Sequence, residues 1–247
     1  MAVKSGVSDV KSSGGDMSLF TYQPDGAGKR PAVIVIQEIF GVNNNVKGIA
    51  KRYAEEGYFA VAPDMFHRQG RHLDVPYPEM ERAVSLRGTM SNDDILADVN
   101  ATVAFLRSNP AVNADRIGIV GFCFGGMVSY FAAAKVDGIK AAAIYYGGGI
   151  LPRDGSPEGT PRLLDATVAD VKAPLIAFWG GKDQNPSPAQ SHEITDALKA
   201  HGKQIDATWY DDAGHGFMCD GRASWNEPAC LDSWSKVLPF FAKHLGK

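Results

Sequence analysis

Apolar positions along this chain alternate between two patterns. Short, nearly continuous apolar runs are followed by longer stretches in which apolar residues recur every three or four positions. Pro31-Ala32-Val33-Ile34-Val35-Ile36 is a run of the first kind, as expected of a central strand buried on both faces. Residues 44–56 are of the second kind, with Val46, Ile49, Ala50 and Tyr53 on one stripe, and predict a helix. The same reading predicts strands at 58–62, 116–120, 141–145, 174–179 and 205–209. It predicts helices at 93–107, 127–134, 189–200 and 231–245, with Ile95, Leu96, Val99, Val103 and Leu106 in register on the first of these. Strands alternating with helices imply an α/β fold, a mostly parallel sheet covered on both faces. With no internal repeat and no low-complexity linker, residues 1–247 read as one domain. Two stretches break the alternation. Residues 66–90 carry charges, Pro76, Pro78 and a short helix at 79–86, and residues 147–172 are rich in Gly, Pro and Asp. Both leave the carboxyl ends of predicted strands, the side on which open α/β sheets bind ligands.

Composition narrows the class. The 247 residues are 45% hydrophobic and 21% charged, which suits a globular chain with a substantial core. A net charge of −3 gives no basic excess for nucleic acid. No segment approaches the roughly 18 consecutive apolar residues of a membrane helix, and residues 1–9 lack a signal-type apolar core. Three cysteines, Cys123, Cys219 and Cys230, are too few and odd in number for a disulfide framework. The expectation is a cytoplasmic monomer acting on a small molecule, with no membrane or nucleic-acid partner.

The chemistry is concentrated at a few positions. Gly121-Phe122-Cys123-Phe124-Gly125-Gly126 joins a predicted strand to a predicted helix and has the form of a nucleophile elbow, G-x-S-x-G, with sulfur in place of oxygen. The competing reading is a structural Cys, because free Cys is among the most buried residue types. A thiol nucleophile needs a base, and the base an orienting group. His215, in Asp211-Asp212-Ala213-Gly214-His215-Gly216-Phe217, follows the last predicted strand and is flanked by glycines. His67, His72, His192, His201 and His244 sit in charged loops or helices and read as ordinary solvated residues. Asp183 follows the apolar run ending at Trp179; taken alone, it reads as a turn residue capping backbone groups. The order Cys123, Asp183, His215, each at a strand end, is the nucleophile, acid, base order of α/β-hydrolases. His215, Cys219 and Cys230 lack the second close pair of a zinc site, and no phosphate-binding Gly motif follows a first strand. No cofactor and no metal are expected.

These segments resemble the dienelactone hydrolase (carboxymethylenebutenolidase) family of α/β-hydrolases, over about residues 19–245. The resemblance rests on Gln37-Glu38-Ile39-Phe40-Gly41, Ala62-Pro63-Asp64, the Cys123 elbow, Gly181-Lys182-Asp183 and Gly214-His215-Gly216-Phe217. It implies the α/β-hydrolase fold and a Cys123 attack on an ester or enol lactone, giving a ring-opened acid such as maleylacetate. His215 would hold the proton and Asp183 would fix the imidazole. The oxyanion hole would be the N–H groups of Ile39 and Phe124, each worth roughly 3–4 kcal/mol in the transition state. Glu38 would contact the resting thiol and move away when substrate arrives; a Glu exposed on the loop is the alternative. Family members bind a substrate carboxylate with arginines and pack a diene on aromatics. Here Arg82 and Arg222 are the candidates, Arg87 reads as a surface charge, and only Tyr77 supplies an aromatic, just before the helix. A thiolate is a good leaving group, so esters and lactones are favoured over amides. A broad carboxylesterase, or a non-catalytic acid-binding or thiol-sensing member of the fold, are the alternatives.

Overall fold

The computed structural model describes residues 2–247. One eight-stranded sheet runs through the molecule in the order β1-β2-β4-β3-β5-β6-β7-β8. The strands are β1 (Val3–Ser12), β2 (Gly15–Pro24), β3 (Arg30–Ile36), β4 (Phe59–Pro63), β5 (Val112–Phe122), β6 (Ile139–Tyr145), β7 (Leu175–Gly180) and β8 (Ile205–Tyr210). From β4 to β8 all neighbours are parallel. β1 and β2 form an antiparallel hairpin that joins the sheet through β4. This is the α/β-hydrolase architecture that the sequence implied, with an added hairpin that apolar patterning does not reveal.

The helices are α1 (Asn44–Glu55), α2 (Met80–Gly88), α3 (Asn92–Ser108), α4 (Phe124–Lys135), α5 (Leu163–Thr167), α6 (Pro188–Ala200) and α7 (Glu227–Leu245). Their starts are set locally. The Asn43 side chain caps α1 through Val46 N–H, and Ser91/Asp94 and Ser187/Gln190 form capping boxes on α3 and α6. The period-two pleat of β3 splits its apolar run between two cores. Ala32, Ile34 and Ile36 enter the core that also holds α3, α4 and α6 residues, while Val33 and Val35 enter the one that holds α1 and α7 residues. Among the described residues, no helix is long and apolar enough to cross a membrane.

One buried polar cluster departs from the solvated role expected of His67. The Asp98 carboxylate of α3 is fully buried. It accepts from Ser12 Oγ at 2.5 Å, from Arg68 Nη1 and Nη2 at 2.7 and 2.9 Å, and meets His67 Nε2 at 3.1 Å. A buried carboxylate is tolerated only when paired and hydrogen-bonded in this way. The cluster ties the β1–β2 hairpin and the loop after β4 to α3. Next to it, buried Asp64 accepts the N–H groups of Phe66 and His72 and fixes the start of the chain leading to α2.

Candidate active site

Cys123 closes β5 and opens α4. Its backbone has φ 56° and ψ −116°, a conformation that residues with a side chain rarely adopt. Such strain costs about 1–3 kcal/mol and persists only where the surroundings enforce it. Here the chain approaches itself too closely for side chains. A Cβ on Gly121 would strike the carbonyl of Gly125, and one on Gly125 would strike the carbonyls of Ile36 and Gln37. Cys123 N–H donates to Tyr145 O at 3.0 Å, which pins the turn to β6. The result holds Sγ, part-exposed, above the carboxyl end of the sheet. The next N–H, that of Phe124, lies in the first turn of α4, where helical N–H groups lack an intrahelical acceptor.

The loops after β7 and β8 bring Asp183 and His215 to the same place. His215 Nδ1 lies 2.9 Å from Asp183 Oδ2 and 3.1 Å from Oδ1. A carboxylate only accepts, so Nδ1 carries the proton and Nε2 is left as the acceptor. Asp183 is buried and also takes the N–H of Asn185 at 2.8 Å, which fixes the carboxylate plane. Burial disfavours a charged ring at His215. The negative charge of an ionised Cys123 and the hydrogen bond to Asp183 outweigh it and hold His215 well above its ordinary pKa of 6.5. Tyr146 crosses the ring edge-on at 5.1 Å between centroids and carries a positive φ of 39°.

Glu38, two residues past the end of β3, is 2% exposed, so it is not a loop carboxylate facing solvent. Among the described residues, neither of its oxygens has a hydrogen-bond partner. The resemblance implied a contact with the resting thiol; no hydrogen bond joins Glu38 to Cys123 here. The ion-pair partner of Glu38 among the described residues is Arg222, whose Nη1 stands 3.6 Å from Oε2. Burial raises the Glu38 pKa; the charges of Arg222 and His215 and the nearby Tyr146 hydroxyl pull the other way without cancelling it. Arg222 itself packs on the Gly216 backbone and lies near the faces of Phe40 and Tyr77. Tyr77 meets Phe40 edge-on and shares a hydrogen bond with Cys219 Sγ at 2.8 Å.

A cavity of about 680 Å³ opens above Cys123. Cys123, His215, Asp183, Ile39, Phe124 and Arg222 all line it. Arg82 does not. It lies on the outer face of α2, half-exposed, and pairs with Glu79 at 2.8 Å. The helix explains this correction: at about 100° per residue, Arg82 is rotated far from the stripe Met80, Val84, Arg87 that lines the cavity. Arg87, expected at the surface, is the arginine on that stripe. Its guanidinium stands 4.7 Å from the centre of the Phe124 ring and donates to Met90 O at 3.1 Å. Burial lowers its pKa, with the Cys123 charge opposing. Arg87 and Tyr146 are thus site residues that sequence reasoning missed. The signal for Tyr146 was its place between the end of β6 and Gly147-Gly148-Gly149; for Arg87 it was the i, i+4, i+7 spacing with two exposed apolar residues.

The sequence profile of the dienelactone hydrolase family matches residues 17–245. A Synechocystis protein named "Putative carboxymethylenebutenolidase" is 36% identical over 231 residues, covering 92% of this chain and 91% of that one. A Bradyrhizobium protein named "Probable 2-oxo-3-(5-oxofuran-2-ylidene)propanoate lactonase" is 29% identical, covering 96% and 93%. Among solved structures, that of a "Putative Dienelactone Hydrolase" from Klebsiella pneumoniae superposes with a TM-score of 0.86 at 31% identity, covering 98% of this chain and 99% of that one.

Proposed function

The chain belongs to the dienelactone hydrolase family, and from that premise we propose that it hydrolyses a small carboxylated ester or lactone, with Cys123 as nucleophile, His215 as base and Asp183 as the group orienting the imidazole. One observation carries this reading: the Asp183-bound imidazole and the strained Cys123 line the same cavity. The name of the Bradyrhizobium relative describes a lactone bearing a carboxylate, which supports the substrate class.

His215 Nε2 takes the thiol proton, and the ring, already favoured in its charged form, keeps it. Sγ adds to the carbonyl carbon, and the developing oxyanion is received by the N–H groups of Phe124 and Ile39. Collapse breaks the C–O bond, and His215 returns the proton to the leaving alkoxide. In a lactone the alcohol stays attached to the acyl chain. Water, deprotonated by His215, then adds to the thioester, and thiol and acid are released. Arg222 and Arg87 both line the cavity and would hold a substrate carboxylate. An anion near Arg222 competes with Glu38 for the same guanidinium, 3.6 Å away, and so frees the Glu38 carboxyl. Amides are poor substrates, because the thiolate leaves the tetrahedral intermediate before an unprotonated amine does.

The test is turnover of a chromogenic ester. Cys123→Ala is expected to lose about 10⁴-fold or more in kcat/KM, while Cys230→Ala, in α7, keeps it. With wild type, brief acid quench should trap a protein whose mass is raised by the acyl group at Cys123. Undiminished turnover in Cys123→Ala would sink the proposal. Absence of turnover on any ester or lactone, with reversible oxidation of Cys123 by peroxide, would favour a thiol sensor instead.

A further inference from the structure

Helix α2 turns its apolar stripe away from the core. Its only buried residue is Ala83, which packs with Phe40 and Val75. Met80 and Val84 are 42% and 45% exposed, and both line the cavity. They are two of five exposed large apolar side chains among the described residues; the other three, Val7, Trp225 and Leu231, are on other segments. An amphipathic helix normally buries such a stripe. Here the stripe faces a cavity of about 680 Å³, in the upper half of the range of roughly 300–1,000 Å³ that holds drug-sized ligands. A five-membered lactone with a carboxylated side chain fills a small part of it.

The sheet order says which part of a substrate meets α2. Cys123 ends β5, which lies between β3 and β6. Asp183 and His215 follow β7 and β8 on one side. α2 follows β4 and packs on Phe40, just past β3, on the other. His215 must hand its proton to the leaving oxygen, so the alcohol side of the scissile bond points toward β7 and β8. The acyl side then points toward Met80 and Val84.

Resting on the hydrolase reading above, we infer that Met80 and Val84 form an acyl subsite, and that the acyl group of the preferred substrate carries an aliphatic substituent rather than a bare planar diene. Flexible and branched aliphatic side chains fit such a group; they offer no flat face to stack a conjugated system. Arg87, one turn further along the same stripe, places a cation beside the acyl group at its Cys123 end.

A series of p-nitrophenyl esters from acetyl to octanoyl tests this. In wild type, kcat/KM is expected to rise about twofold to fourfold per added methylene, up to about six carbons, as each methylene leaves water. Met80→Glu and Val84→Glu should flatten that slope, and Val84→Leu should restore it. Leu231→Glu, an exposed apolar residue of α7, should leave the slope as in wild type. A slope that is flat or falling in wild type, or one that survives both glutamate substitutions, overturns the inference while leaving the hydrolase reading standing. No turnover of any ester in the series, or turnover that persists in Cys123→Ala, overturns both.

Discussion

Glu38 is a carboxylate in a place where ionisation is expensive. It is 2% exposed and, among the described residues, lacks any hydrogen bond and has its one ion-pair partner at 3.6 Å. Its pKa is raised by burial, so the Arg222 charge does not repay the lost hydration. The sign of the stability effect follows from proton binding. Between the unfolded pKa, near the ordinary 4.5, and the raised folded value, the native state binds the extra proton, so stability falls as pH rises through that window. Glu38→Gln is therefore expected to stabilise the protein at pH 7–8 by about 1 kcal/mol, a melting shift of about 2–4 °C, and to gain nothing below pH 4.5. Calorimetry of both proteins across that pH range checks it, and a less stable variant at pH 8 would contradict it. The odd position of Glu38, two residues past a central strand, was legible in the sequence. What was not legible is its partner, because Arg222 lies far along the chain and reaches Glu38 only through the Gly216 turn and the Phe40 and Tyr77 rings.

At the level of elements, the apolar pattern located β3 to β8 and all the helices except the short α5, which lies in the Gly- and Pro-rich stretch after β6. β3, β4 and β7 stand out because they are buried on both faces. The hairpin β1–β2 escaped. β1 is an edge strand with mostly exposed side chains, so no core imposes an apolar period on it. Its signal was the Ser13-Gly14 turn between two strand-length runs, in the register Ser12 opposite Gly15. Asp98 was a second such signal. It falls within the buried stripe Ile95, Val99, Thr102, Val103 and Leu106 of α3, and an acid there demands partners. Those partners, Ser12, His67 and Arg68, come from two other segments, so the carboxylate binds three elements together. Removing it leaves Arg68 and His67 without their buried counter-charge. Asp98→Ala is expected to cost about 3–5 kcal/mol in urea unfolding. A loss under about 1 kcal/mol would mean that the hairpin is held by backbone pairing alone.

Across the whole molecule, charge is distributed against its net sign. The chain carries a net charge of −3, yet Arg87, Arg153, Lys182 and Arg222 line the cavity against only two acids, Asp154 and Asp183. Asp183 is engaged by His215, Lys182 by Asp212 and Arg222 by Glu38. Arg87 has no ion pair among the described residues, and an arginine stays charged at neutral pH even where burial lowers its pKa. An anionic substrate therefore meets weak repulsion far from the molecule and attraction close to Cys123. For an anionic ester the attraction is expected to outweigh the repulsion, because cavity walls focus the field of nearby charges while the net charge is spread over the whole surface. Added salt shortens the Debye length from about 20 Å at 20 mM to about 4 Å at 0.5 M and weakens that capture. For a p-nitrophenyl half-ester of succinate, kcat/KM is expected to fall about threefold to tenfold over this range, while that for the neutral butyrate ester stays within about twofold. Arg87→Gln should lower the half-ester rate at low salt and remove most of its salt dependence, without adding salt dependence to the neutral ester. Parallel salt profiles for the two esters in wild type would mean that the cavity cations serve the fold and not the substrate.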